Sequence, residues 1–292
     1  ARLIHECGCP PGFLNTVQCD LRLSEALARD PRFAVVSFTG SPRVGWKIRS
    51  EAPTPHVILE LGGNAFALVG TGADHSAAVE KLGLSAYAYA GQVCISTQHI
   101  LVHRSEFEAF RDTFVARWGG LCAENPADSS TVCGPLIHEA QAKAVSAMVD
   151  SACGQGAKLL FGGTLSGNRY SPTALEIQDF SQAQSLEMAL ATEEVFGPVV
   201  TLSPIDSIEE GAHLVNQSKY AIHTSVFADP DSWDQASGQL RSPGLLWNEP
   251  PTLRFDGLPY GGERQSGLGR EGLAYAFESM TYPQSRILPQ DR

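Results

Sequence analysis

An α/β fold organised on a parallel sheet is expected from this chain on three grounds. Short apolar runs of strand length alternate with segments of helical period through most of the sequence. Turn-forming Gly, Pro, Ser and Asn separate them. The 292 residues, 43% hydrophobic and 18% charged, suffice to bury a large core in one or two domains.

In chain order, residues 1–12 read as the end of a helix and a turn. Phe33-Ala-Val-Val-Ser-Phe38 reads as a buried strand and Thr39-Gly-Ser41 as a turn. Pro42 then opens a helix through about Ala52, since its fixed φ suits a first helical turn. Val57-Ile-Leu-Glu-Leu61 is a second strand closed by Gly62 and Gly63, Phe66–Val69 begins a third, and a helix follows from about Ala77 to Ala90. Ile100–His103 is a strand, with Ser105 as N-cap of a helix to about Trp118. Helical segments at 138–153 and 207–217 precede strands at 157–161 and 224–228, and Pro198–Ile205 and Leu245–Asn248 complete the set. The stretch from Leu82 to His103 lacks charged residues. Gln92, Ser96, Thr97, Gln98 and His99 interrupt it, so it reads as a buried segment and not a membrane span.

A net charge of −11 argues against a nucleic-acid partner, because binding phosphates needs a dense Lys/Arg surface. The seven cysteines are scattered and form no C-x-x-C pair, so neither a disulfide framework nor a metal site is indicated. With no signal peptide visible, a reducing cytoplasm is the expected compartment.

Five motifs carry chemistry. Cys94, in Gly91-Gln-Val-Cys94, is a candidate nucleophile if its pocket activates the thiol; the bland alternative is a buried structural cysteine. Glu60, in Leu59-Glu-Leu-Gly-Gly-Asn64, sits in an apolar run that raises a carboxyl pKa toward a general base's range. Phe38-Thr-Gly-Ser-Pro-Arg-Val-Gly45 places a glycine turn between strand and helix, where a pyrophosphate can approach a helix N-terminus. Glu193-Glu-Val-Phe-Gly-Pro198 offers carboxylates for a ribose diol and an aromatic beside a flat ring. The glycines of 258–272 demand an irregular, packed loop.

Each motif is ambiguous alone, but their joint order resembles the aldehyde dehydrogenase superfamily, from Pro10-Pro-Gly-Phe-Leu-Asn15 almost to the C-terminus, with Gly134-Pro-Leu-Ile137 and Gly156–Gly163 matching between the motifs. The resemblance implies an aldehyde dehydrogenase-like fold: a partial Rossmann-type cofactor domain over 1–62, an α/β catalytic domain over 63–259, and a C-terminal return and oligomerisation segment over 260–292. It implies that the Cys94 thiolate attacks an aldehyde to form a thiohemiacetal, that hydride passes to NAD or NADP, and that water hydrolyses the resulting thioester. Glu60 would be the base. Glu194 would bind the nicotinamide-side ribose and Phe196 lie beside the nicotinamide. Gly40 and Ser41 would sit beneath the pyrophosphate, Gly45 allow close packing in the next helix, and Leu61 and Gly62 line the nicotinamide site through backbone atoms.

The family's N-terminal cofactor region, its oligomerisation hairpin, an oxyanion-stabilising Asn and a ribose-contacting Lys find no counterpart here. Loss of one oxyanion donor costs about 3–4 kcal/mol of transition-state stabilisation. The expectation is a truncated or fragmentary member with little activity alone. Its substrate would be a small polar aldehyde, met through Arg254 if anionic, and the full-length form would be a homo-oligomer. The competing readings are a non-catalytic remnant that assembles through a C-terminal strand near Ser285–Leu288, and a thiol esterase.

Overall fold

The computed structural model describes residues 1–288. A seven-stranded sheet carries most of the chain. Its strands lie in the spatial order Gly244–Trp247, His223–Phe227, Ala65–Val69, Thr97–His103, Val199–Ile205, Thr173–Glu176 and Lys158–Phe161. All neighbours are parallel except the last pair, where the edge strand Lys158–Phe161 runs antiparallel. The expected parallel α/β sheet is therefore present. Alternate strand residues feed two cores, as the pleat requires. Phe66, Leu68 and Leu101 face the helices Glu139–Gly154 and Ile208–Gln217, while Ala67, Val69, Ile100 and Val102 face His75–Tyr87 and Phe107–Trp118.

A second, three-stranded sheet holds Val36–Thr39 parallel to Val57–Glu60, with Gly267–Leu268 returning antiparallel on the other side. The helix Pro42–Glu51 begins with proline in its first turn, as expected, and packs Trp46 and Ile48 against Val57, Leu59 and Leu61.

Several boundaries differ from the sequence expectation for local reasons. The first strand starts at Val36, because Phe33 N–H closes a turn on Asp30 and the Ala34 carbonyl is taken by the Thr54 hydroxyl. The helix after Thr97–His103 starts at Phe107 with Glu106 at its N-cap; the Ser105 hydroxyl pairs with the His103 ring and does not cap. The helix expected to reach Ala90 ends at Tyr87 and is followed by a 3-10 turn, Ala88–Gly91. No strand forms at 281–288; after the helix Leu273–Met280 the chain is irregular, with Ile287 and Leu288 exposed. No helix among the described residues is long and apolar enough to cross a membrane.

Candidate active site

The sheet order explains how distant motifs meet. Ala65–Val69, Thr97–His103 and Val199–Ile205 are adjacent parallel strands, so the loops leading into them open on one edge. Those loops contain Gly62 and Gly63, Cys94, and Glu194 with Phe196. The smaller sheet meets this edge the other way round, through the C-terminal ends of Val36–Thr39 and Val57–Glu60. There the Gly40 N–H donates to the Glu60 carbonyl at 3.0 Å. Carboxyl ends are where open α/β sheets bind ligands. A ligand end of one sheet thus faces the loop-bearing N-terminal edge of the other.

Cys94 is delivered by strained backbone. Tyr89 and Ala90 are consecutive left-handed residues without glycine, at φ 52° and 55°. Each such residue costs about 1–3 kcal/mol, and strain of this kind persists where surroundings enforce it. Here Ile137 N–H bonds the Gln92 side chain at 3.0 Å, and the Ser96 hydroxyl ties the end of the turn to the Ser85 carbonyl at 3.1 Å. The Cys94 sulfur lies 3.0 Å from the Tyr260 hydroxyl. Its thiol is held above the ordinary range: burial pushes it up most, the Tyr260 hydrogen bond pulls it down, the charges of Glu194 and Glu60 push it up again, and its own backbone N–H pulls it back in part.

Glu60 sits at the end of its strand, covered by the return strand through the Gly267 pairing. The side chain is buried and its Oε1 has no hydrogen-bond partner among the described residues. Burial pushes the carboxyl up to about 8, helped by Glu271 and opposed by Arg254 and Arg270. That is the range expected of the motif, for the expected reason. The loop at Tyr260 joins carboxyl and sulfur: its hydroxyl lies 3.0 Å from Cys94 Sγ, and a Cβ on the next residue, Gly261, would lie 3.1 Å from Glu60 Oε1.

Glu194 turns onto the glycine turn, where its Oε1 accepts the Gly63 N–H at 2.9 Å. Burial raises it to about 7 against the pull of that bond. A Cβ on Gly62 would lie 2.1 Å from Glu194 Oε2. Phe196, at φ 48°, is 38% exposed. Gly45 is buried in its helix, where a Cβ would strike Leu61 at 2.3 Å; a Cβ on Gly40 would strike the Phe38 ring. Ser41 stands at the N-cap with no side-chain capping bond, so the helix presents an unfilled N-terminus of the kind that suits phosphate. The Leu61 amide is occupied by the Ser266 carbonyl at 2.9 Å.

Two residues escaped the sequence reading. Gln98 is 4% exposed; it donates to the Gly63 carbonyl at 2.8 Å and accepts the Val195 N–H at 2.9 Å, clamping the glycine turn to the Glu194 loop. A glutamine inside a buried strand was the available signal. Tyr260 stood within a recognised motif, but nothing local predicts where its hydroxyl points.

Gly63→Ala tests how tightly these loops close. A Cβ there would lie 2.0 Å from the Cys94 carbonyl oxygen, a backbone atom that no rotamer change can move. A loss of about 1–3 kcal/mol is expected, read as a lowered Tm. A Tm unchanged within a degree contradicts the packing described.

Beside Tyr260 a cavity of about 320 Å3 is lined by His223, Trp247, Arg254, Phe255 and Leu258. Arg254 stacks its guanidinium 4.1 Å over the Tyr260 ring and pairs with Glu271 at 2.8 Å.

A profile of the aldehyde dehydrogenase family matches residues 1–285. The 3-sulfolactaldehyde dehydrogenase of Priestia aryabhattai is 36% identical over 291 residues, covering 99% of this chain and 59% of its own. The glyceraldehyde-3-phosphate dehydrogenase GapN of Methanocaldococcus jannaschii, complexed with NADP, superposes with a TM-score of 0.89 at 33% identity, over 96% of this chain and 60% of that one. An aldehyde dehydrogenase of Mycobacterium tuberculosis, complexed with NAD+, gives 0.90 at 30% identity, over 100% and 60%. The chain spans about 59% of the length of the first of these relatives.

Proposed function

The chain belongs to the aldehyde dehydrogenase family, and from that premise we propose that its site oxidises a small aldehyde to the acid with NAD+ or NADP+ through a covalent intermediate on Cys94. One observation carries the reading: a sulfur hydrogen-bonded to a buried hydroxyl shares its surroundings with a buried carboxyl that has a free oxygen. The Cys94 thiolate adds to the aldehyde carbon and gives a thiohemiacetal. A nicotinamide cofactor, when bound, supplies the acceptor for hydride. Glu60 takes the thiol proton and gives it up to solvent; the freed carboxylate then takes a proton from the water that attacks the Cys94 thioester, which releases the acid and the Cys94 thiolate. The uncapped N-terminus of Pro42–Glu51, the Glu194 carboxylate and the exposed Phe196 ring are the groups suited to hold that cofactor.

The cavity beside Tyr260 supports a finer reading, an aldehyde bearing an anionic group held by Arg254. Two relatives are named for sulfonate- or phosphate-bearing aldehydes. A guanidinium has five N–H donors, so the Glu271 pair leaves some for a substrate. Removing a charge-assisted bond of about 1.5–3 kcal/mol should make Arg254→Gln lower kcat/KM for an anionic aldehyde about 10–100-fold relative to a neutral one. An unchanged ratio contradicts this.

The function is tested in two arms. An activated ester should acylate Cys94; where the family's N-terminal cofactor region is also present, a small aldehyde with NAD+ or NADP+ should yield reduced cofactor that Cys94→Ala abolishes. Acylation with no aldehyde-dependent reduction would favour a thiol esterase. An ester that leaves Cys94 unmodified overturns the covalent reading altogether.

A further inference from the structure

We propose that the Tyr260 hydroxyl is the group that stabilises the Cys94 thiolate, a role that rests on Cys94 being the nucleophile. The groups facing the sulfur are Tyr260, Glu194 and Glu60, and none of them is a cation. A nucleophilic thiol generally needs a neighbour that favours its ionised form. Both carboxylates oppose that form, as does burial; the phenol is the side chain that favours it and the larger of two favourable groups, the other being the Cys94 backbone N–H.

The geometry keeps this hydroxyl in place. The Tyr260 backbone is paired on both sides with Glu271, through N···O distances of 3.2 and 2.5 Å. Arg254 covers the ring at 4.1 Å, and His223 meets it edge-on at 5.4 Å. His223 is itself fixed by a 2.6 Å bond to the Pro251 carbonyl. Only 7% of Tyr260 is exposed, and it packs with Ile95 and Ile222 against Val93 and Cys94. The hydroxyl therefore cannot swing away from the sulfur without unmaking this cluster.

With the thiol protonated, either atom can donate across the 3.0 Å contact. Once the sulfur ionises, only the phenol has a proton to give, and the bond becomes charge-assisted. Burial and the nearby sulfur push the Tyr260 phenol upward, so it keeps its proton while the thiol loses its own. The cation over the ring acts in the useful direction, drawing electron density from the oxygen and strengthening the O–H as a donor. No proton is transferred to or from the phenol: the thiol proton goes to Glu60, and the hydroxyl holds the charge left behind.

The test is the pH dependence of Cys94 alkylation by iodoacetamide, read by peptide mass mapping in the whole chain. In Tyr260→Phe the alkylation midpoint should rise by about one pH unit, making alkylation about tenfold slower below it. The change removes one oxygen from a ring that stays packed, and a thermal melt confirms the fold. Ring fluorination of Tyr260, which keeps the hydroxyl and sharpens it as a donor, should move the midpoint down. A midpoint that ignores both changes overturns the proposal. If Cys94 stays unmodified at every pH while the exposed Cys122 alkylates, the nucleophile reading falls instead, so the two failures are distinct.

Discussion

Replacing Cys94 by alanine is expected to remove acyl transfer by this chain, with a fall on the order of a thousandfold or more in activated-ester turnover. The size follows from the site having a single sulfur. Of the other six cysteines, Cys7 and Cys122 are exposed, Cys133 is buried in a core, and none is a neighbour of Glu60 or Tyr260. Without the sulfur nothing in the pocket can form the thioester, and Glu60 has no intermediate to hydrolyse. The fold should survive, because Cys94 is only part-buried and alanine creates no large void there. Turnover within tenfold of the parent chain would show that the covalent step occurs elsewhere.

Glu60→Gln is expected to slow hydrolysis of the acyl-enzyme about a hundred- to ten-thousandfold, the usual range for a positioned general base. The parent chain should deacylate faster as pH rises and level off above about 8, the pH region to which burial and Glu271 push the carboxyl. Below that value the base is protonated and idle. The glutamine variant should lose this rise. Stability should move in the opposite sense. The folded carboxyl, raised from 4.5 to about 8, holds its proton more tightly than the unfolded one. Between those values the native state binds more protons, so stability falls as pH increases. The glutamine variant lacks this penalty and should gain on the parent chain in urea melts between pH 5 and pH 9. Glu194 is raised in the same direction, but it is common to both proteins and drops out of the comparison. A difference that stays constant with pH would show that the Glu60 carboxyl is not held up by burial as described.

The parts of this site that were legible in the sequence are those written in local chemistry. A cysteine between small and polar residues, a glutamate in an apolar run and a Gly-Ser-Pro turn opening a helix all announce themselves within a few residues. The structure places Cys94 and Glu60 in one neighbourhood, with Gly62 and Glu194 in contact beside them. The order of the strands was not legible, because Ala65–Val69 pairs with both Thr97–His103 and the distant His223–Phe227, and such pairing leaves no local trace. Thr173–Glu176 was missed; it is four residues long and follows Pro172, which marks a turn as readily as a strand end. The left-handed pair Tyr89 and Ala90 was invisible, since neither residue type favours positive φ and tertiary packing imposes it. The Tyr260–Cys94 contact depends on a return strand laying Gly267 beside Glu60, a long-range event that composition cannot encode.

In the proposed mechanism Cys94 forms the bond to the substrate carbon, and Glu60 activates the water that later breaks it. This division of labour is tested most directly by trapping the intermediate. The Glu60→Gln chain is mixed with an activated ester, quenched in acid at intervals and mapped by mass spectrometry. An acyl group is expected on the peptide bearing Cys94, formed more slowly than in the parent chain because the thiol has lost its base, yet persisting far longer once formed. An acyl group on another cysteine, or one on Cys94 that disappears at the parent rate, would contradict that division.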